Sequence, residues 1–183
     1  MKFTLTISGS GGQGVMSAGI SLAGSAVEAG RHATFIPLYG PEQRGGSAKC
    51  TVIISDEPAI SPLPRHSDGL IAMNESSFKK FIGNLRPGGL LVRNTARVTS
   101  ALKRTDVRCL DVDADTIAHE MNADKAANII LVGAMIGFSE MMDPALFMKS
   151  LEHEFASKGA AIVEMNRRAL YEGYALGQAA RNQ

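Results

Sequence analysis

Apolar and polar residues alternate along Lys2–Ser8, with Phe3, Leu5 and Ile7 separated by Thr4 and Thr6, which predicts a strand with one face on a core. Residues 14–29 read as a helix that stops at Gly30, a residue suited to a left-handed helix end. Gly19, Ala23, Gly24 and Ala26 make that helix thin. A thin helix can approach a sheet or a neighbour closely, at an intrinsic cost of about 1 kcal/mol per interior glycine. His32–Leu38 and Ser47–Ser55 are the next two strands, separated by only eight residues, 39–46. A parallel crossover needs roughly a dozen residues or more. If these two strands are neighbours, they are expected to be antiparallel, and the sheet to be mixed.

Pro58, Pro62 and Pro64 mark a connection over residues 58–68, followed by a short strand, Gly69–Met73. Asn74 is placed to cap a helix running to about Ile82, its side chain accepting from first-turn amides. Arg86-Pro87-Gly88-Gly89 reads as a turn into a strand at Leu90–Val92, and Val107–Val112 as a last strand. Asp113 or Asp115 can cap a helix through Met121. From Asp124 the pattern is helical, with Asp143-Pro144 as a cap followed by proline at the first helical position and a long terminal helix, Ala160–Gln178. About five strands with intervening helices predict one domain, 1–183: a three-layer α/β/α sandwich with a mixed, Rossmann-like sheet.

A chain of 183 residues can bury roughly 70% of its unfolded surface around a single core. Nineteen basic and 18 acidic residues leave a net charge of +1, which gives no reason to expect nucleic acid or an anionic membrane as partner. The first residues hold too short an apolar stretch for a signal peptide, and no run approaches the ~18 apolar residues of a spanning helix. A cytoplasmic protein is expected. The two cysteines, Cys50 and Cys109, lie in strand-like runs and are expected to be buried free thiols. They cannot build an iron–sulfur site, which usually takes four thiolates.

Chemistry concentrates in two glycine-rich loops. Gly9-Ser10-Gly11-Gly12-Gln13-Gly14 follows the first strand and opens the first helix. Glycines there let backbone approach a ligand closely, and free amides at the helix start attract anions. A dinucleotide site also wants a carboxylate near the end of the second strand. That strand ends Pro37-Leu38-Tyr39, and Glu42 comes late, beyond Pro41. Three readings stay open for this loop: a tight turn that only packs, a phosphate or other anion contact, and a dinucleotide site. The second loop is Tyr39-Gly40-Pro41-Glu42-Gln43-Arg44-Gly45-Gly46. Arg44 offers a planar fork to a carboxylate or phosphate, or pairs with Glu42 to order the loop. A loop so rich in special backbone residues is a costly way merely to join two strands.

Other constellations fail. Asp111, Asp113 and Asp115 imitate the start of a calcium loop, but Thr116 and Asn122 stand where glycine and glutamate are needed. His32, His66, His119 and His153 show no metal spacing. Asn166-Arg167-Arg168 suits a solvated helix face better than an anion site. No catalytic machinery is visible in the chain by itself.

Taken together, Gly9–Gly14 with Ala18-Gly19, Tyr39–Gly46, the Ser55…Ile60…Pro62 stretch, Asp68 before Leu70-Ile71-Ala72, Pro87-Gly88-Gly89, and Ala126-Ala127-Asn128 with Gly133 resemble the gamma subunit of the 2-oxoacid:ferredoxin oxidoreductases. The resemblance covers most of the chain, and Tyr39–Gly46 with Ala72-Met73-Asn74 is most similar to the 2-oxoglutarate or branched-chain type. It implies a multi-subunit enzyme that oxidatively decarboxylates a 2-oxoacid to an acyl-CoA. Thiamine diphosphate with Mg is then held mainly by alpha and beta chains, iron–sulfur clusters by a ferredoxin-like delta chain, and ferredoxin accepts the electrons. The gamma chain is inactive alone. The residues carried over as cofactor-binding or interface positions are Gly9, Gly11, Gly12, Gly14, Tyr39, Gly40, Glu42, Arg44, Gly45 and Gly46. A free-standing Rossmann-like nucleotide-binding protein or NAD(P)-dependent dehydrogenase is the alternative, and a homodimer formed through the loops is a third reading.

Overall fold

The computed structural model describes residues 1–39, 47–58 and 64–182. Among these, six strands form one sheet: β1 (Lys2–Ser10), β2 (His32–Tyr39), β3 (Ser47–Ser55), β4 (Ser67–Ala72), β5 (Leu85–Asn94) and β6 (Arg108–Val112). Its order is β2-β3-β1-β4-β5-β6. The helices are α1 (Val15–Glu28), α2 (Glu75–Phe81), α3 (Ala114–Glu120), α4 (Ala127–Ser139), α5 (Pro144–Phe155) and α6 (Ala160–Arg181). β3 runs antiparallel to β2, as the short 39–46 connection requires, and also to β1, while β1, β4, β5 and β6 are parallel. The sheet is therefore mixed.

The two helical layers are unequal. On one face Leu5, Ile7, Cys50, Val52, Ile54 and Val92 pack against α1, α4, α5 and α6. On the other, Leu70, Ala72 and Leu91 meet Phe78 and Phe81 of α2. Leu70-Ile71-Ala72 is an unbroken apolar run because both sides of β4 are covered. The polar side of β1 is also covered: Thr4, Thr6 and Ser8 are buried, where simple alternation put them toward solvent. Small hydroxyls tolerate this because they find partners. The Ser8 hydroxyl lies 3.3 Å from the Ala48 carbonyl, to which it donates, and 3.0 Å from Ser77 Oγ.

Two close approaches explain the glycines. A Cβ on Gly19 would sit 2.5 Å from Cys50 Sγ and 2.8 Å from the Phe35 ring, so α1 lies on the sheet as a thin helix must. In α4, Gly133 and Gly137 face Gly173 and Gly177 of α6. A Cβ on any of the four would run into a carbonyl of the opposite helix, from Leu170, Tyr174, Ile130 or Ala134. The two helices thus touch backbone to backbone. α4 is apolar on all sides and buried from Ile129 to Phe138, the pattern of a central core helix.

Asn74, Asp113 and Asp143 cap α2, α3 and α5 with their side chains, and Pro144 opens α5. Two expectations are corrected. Arg86-Pro87-Gly88-Gly89 is not a turn outside the sheet. It lies within β5, which reaches back to Leu85 through a register shift opposite Ser67 and Gly69, with Gly88 at φ 74°. A glycine takes that conformation without strain, so the strand kinks and continues. Cys109 is only half-buried, because β6 is an edge strand, whereas Cys50 is buried as expected.

Burial pushes both thiols up to about 12, and a hydrogen bond to Asp111 at 3.2 Å adds to the effect on Cys109. A rise from 9.0 to about 12 lowers the thiolate fraction at pH 8 by roughly a thousandfold. Iodoacetamide is expected to modify neither cysteine in the native chain over an hour and both after unfolding, as read by mass spectrometry. Rapid native labelling of Cys109 would contradict this environment. No helix among the described residues is long and apolar enough to cross a membrane.

Candidate functional site

The carboxyl ends of β1 and β4 lie on the same side of the sheet, and the antiparallel β3 begins there. Ser10 pairs with Ser47, and Tyr39 with Ala48. The first glycine loop leaves from Ser10, and the segment carrying the second leaves from Tyr39 and returns at Ser47. The two motifs therefore root side by side on three adjacent strands. Gly40, Glu42, Arg44, Gly45 and Gly46 lie outside the described residues, and Tyr39 is the last residue of β2.

The first loop is shorter than its motif. β1 continues through Gly9 and Ser10 because β3 pairs with it that far, which corrects the expected strand end at Ser8. Gly9 is thus a strand residue, and it must be small. A Cβ there would lie 2.7 Å from Gln13 Oε1 and 3.1 Å from Met73 Cβ. The chain then turns, Gln13 N donating to the Ser10 carbonyl at 3.2 Å. Gly12 takes φ 90° and Gly14 φ 72°, both in the left-handed region that favours glycine. Gly14 is the residue before α1, which has no side-chain cap. The N–H groups of Gly11, Gly12, Gly14, Val15, Met16 and Ser17 have no acceptor among the described residues. They form an uncapped, positive helix start.

This turn borders a cleft of about 700 Å³, whose other walls come from the start of α4, the end of α5 and the first part of α6. Asn128 of α4 reaches across, its Nδ2 3.5 Å from the Gly14 carbonyl. Asn94, at the end of β5, uses its Oδ1 to accept from Ala114 N at 3.2 Å. Asn166 of α6 donates to the Ile162 carbonyl at 2.9 Å. Both are buried, and both line the cleft. Asn166 therefore belongs to the interior wall of the cleft, while its neighbour Arg167 pairs with Glu152 and Glu164 on the surface. Arg97 and Asp115 form an ion pair of 2.5 Å at the rim, and Asp124, Lys125, Lys158 and Glu154 complete a charge-balanced border.

The aspartates that imitate a calcium loop have other partners: Asp111 binds Arg93, Asp113 caps α3 and Asp115 binds Arg97. Among the described residues no three of His, Cys, Asp and Glu converge to hold a metal. Lys49, one residue after Ala48, stands over the Phe81 ring at 4.9 Å, and burial followed by the nearby Lys80 pushes its amine below the ordinary lysine range. Asn94 was not singled out in the sequence, and two further residues were visible there only in part. Gln13 sits inside the first motif, and its side chain gives no signal of pointing back into the fold. Asn74 shows only its capping role.

A dinucleotide site fits this geometry poorly. In that site the strand after the first βα unit lies beside β1 and carries the ribose-binding carboxylate. Here β3 intervenes, so the end of β2 is two strands away, roughly 9–10 Å at ordinary strand spacing.

Comparison with known proteins agrees with the fold. The family model for pyruvate ferredoxin/flavodoxin oxidoreductase matches residues 4–176. The ketoisovalerate oxidoreductase subunit VorA of Methanothermobacter marburgensis is 38% identical over 91% of this chain, which spans only 35% of that relative's length. The 2-oxoglutarate synthase subunit KorC of Methanocaldococcus jannaschii is 29% identical, covering 95% of this chain and 93% of its own. The crystal structure of a keto/oxoacid ferredoxin oxidoreductase gamma subunit from Geobacter sulfurreducens superposes with a TM-score of 0.85 at 28% identity, covering 98% of both chains. The chain belongs to the pyruvate ferredoxin/flavodoxin oxidoreductase family.

Proposed function

We propose that this chain is the gamma subunit of a thiamine diphosphate-dependent 2-oxoacid:ferredoxin oxidoreductase, and that it completes an active site whose reacting groups sit on other chains. The observation that carries this reading is the common root of the two glycine-rich segments, the first of which borders the cleft. Open amides, left-handed glycines and buried asparagines meet there, and no cluster able to hold a metal accompanies them among the described residues. Such a surface suits binding and orientation. Gly9, Gly11, Gly12 and Gly14, with Tyr39, Gly40, Glu42, Arg44, Gly45 and Gly46, are the positions we assign to the contact with the partner chains and their cofactors.

In this proposal alpha and beta chains hold thiamine diphosphate and Mg, which supply the decarboxylation of the 2-oxoacid, and coenzyme A receives the acyl group. Iron–sulfur clusters do not fit this chain. Its two cysteines, on β3 and β6, are separated by three intervening strands and offer two of the four thiolates a cluster usually takes. The clusters are therefore assigned to a ferredoxin-like delta chain and the final electrons to ferredoxin, in a cytoplasmic complex. The names of the relatives point to two substrate classes, ketoisovalerate and 2-oxoglutarate.

Purification of the tagged chain at native level without oxygen tests the assignment. Recovery of a thiamine-binding pair and an iron–sulfur chain is expected, with CoA-dependent reduction of ferredoxin by one of the two acids. Recovery of the chain alone, binding NAD(P), would replace the proposal with a free-standing dehydrogenase. Sedimentation of the isolated chain reads self-association separately.

A further inference from the structure

Asn74 stands where β4 gives way to α2, and its two ends face different structures. Its Oδ1 accepts from Ser77 N at 2.9 Å and from Ser76 Oγ at 3.1 Å, the ordinary work of a helix cap. Its NH₂ group points the other way. It donates to Ser10 Oγ at 2.7 Å and to Gln13 Oε1 at 3.0 Å, both in the turn between β1 and α1. Gln13 is held on three sides: its Oε1 also accepts from Ser10 N at 2.6 Å, and its Nε2 donates to the Met73 carbonyl at 3.4 Å. Reversing the Gln13 carboxamide would set its Oε1 against the Met73 carbonyl and deprive Ser10 N of its acceptor. The turn is therefore fastened at both of its corners, Ser10 and Gln13, to a single side chain on a neighbouring strand end. Between and beyond those corners Gly11, Gly12 and Gly14 present N–H groups without acceptors among the described residues.

We propose that Asn74 is a positioning residue for the Ser10–Gly14 turn, acting through its NH₂ group and separately from its cap on α2. The reading of what the turn serves rests on the proposed function; the pin itself does not.

Asparagine and aspartate cap helices about equally well. Asn74→Asp therefore keeps the acceptor for Ser77 N and removes the donors. It also sets a carboxylate against Gln13 Oε1, so the turn cannot keep its present hydrogen bonds. Hydrogen exchange on the full chain separates the two roles. In N74D the Ser10 and Gln13 amides are expected to exchange at least about tenfold faster, while the Ser77 amide and the melting temperature stay at wild-type values. In N74A the Ser77 amide is expected to lose protection as well. Gln13→Ala, which removes the acceptor shared by Ser10 N and the Asn74 NH₂ group and leaves the α2 cap untouched, should reproduce the faster exchange at Ser10 and covers the case in which N74D folds poorly. Wild-type exchange at Ser10 in both N74D and Gln13→Ala would overturn the pin. In the purified oxidoreductase, N74D is expected to lower kcat about tenfold with the KM for the 2-oxoacid unchanged. An unchanged kcat alongside the faster exchange would overturn the positioning role while leaving the pin and the subunit assignment standing.

Discussion

Gly173→Ala is expected to destabilise the chain by about 2–3 kcal/mol, the range of an overpacked core, although the same change in an exposed helix stabilises by up to about 1 kcal/mol. The sign reverses because of the neighbour. A Cβ at Gly173 would overlap the Ile130 carbonyl oxygen and come within 2.8 Å of its carbon and 3.0 Å of Ala134 N. These atoms belong to the backbone of α4, which cannot rotate aside as a side chain can. α4 is itself wedged into the core from Ile129 to Phe138. Accommodation requires the two helices to separate, and separation opens the packing around Leu170 and Met135. At roughly 2–4 °C per kcal/mol for a chain of this size, the melting temperature should fall by about 5–10 °C. Gly24→Ala is the control. It lies on the exposed side of α1 with nothing nearer than Ser150 Oγ at 4.0 Å, and should gain about 0.5–1 kcal/mol. Urea unfolding of both variants decides the matter, and an equal gain in each would mean that α4 and α6 are not in backbone contact.

Gly14→Ala is expected to cost about 2–4 kcal/mol and at least about a tenfold loss of turnover in the assembled complex. Two causes add. The left-handed φ of 72° costs a residue with a Cβ about 1–2 kcal/mol. The new carbon also collides with the carboxamide of Asn128. Gly12→Ala separates the causes, because Gly12 has φ 90° but open space around it, and should show the strain alone, about 1–2 kcal/mol. In an Asn128→Ala background the excess cost at position 14 should vanish while the strain remains, a double-mutant cycle read by chemical denaturation. Equal costs at positions 12 and 14 in both backgrounds would remove Asn128 from the account.

The elements with local signatures were legible in the sequence. β2 and β3 are separated by too few residues for anything but an antiparallel pair, and the caps Asn74, Asp113 and Asp143 announce themselves by residue type. The mixed character of the sheet followed from the first of these. The insertion of β3 between β1 and β2 did not, since strand order is a matter of long-range packing with no local mark. Arg86–Gly89 misled because Pro-Gly-Gly is turn chemistry, and the bulge that keeps it in β5 depends on the neighbouring strand. The α4–α6 contact was half-visible: Gly133 and Gly137, like Gly173 and Gly177, are spaced for one helix face, yet which faces meet is set only by the fold. For the site, the glycines of the first loop could be read as backbone requirements. The partners that make those requirements could not: Gln13 is local to Gly9 but gives no sign of turning back on it, and Asn128, which confines Gly14, lies across the fold.

The ladder between β1 and β3 is unbroken, from Lys2 opposite Ser55 to Ser10 opposite Ser47. A stiff two-strand ribbon of this kind fixes where the two glycine-rich segments are rooted, at Ser10 and Ser47. Given the proposed contact of both segments with the partner chains, they act as a bivalent ligand on a rigid spacer. Once one segment engages, the other is held at a high effective concentration over its own contact, and little further entropy is lost in docking it. Affinity on such a surface is multiplicative: weak grip at either segment suffices for tight assembly, and damage to one releases both.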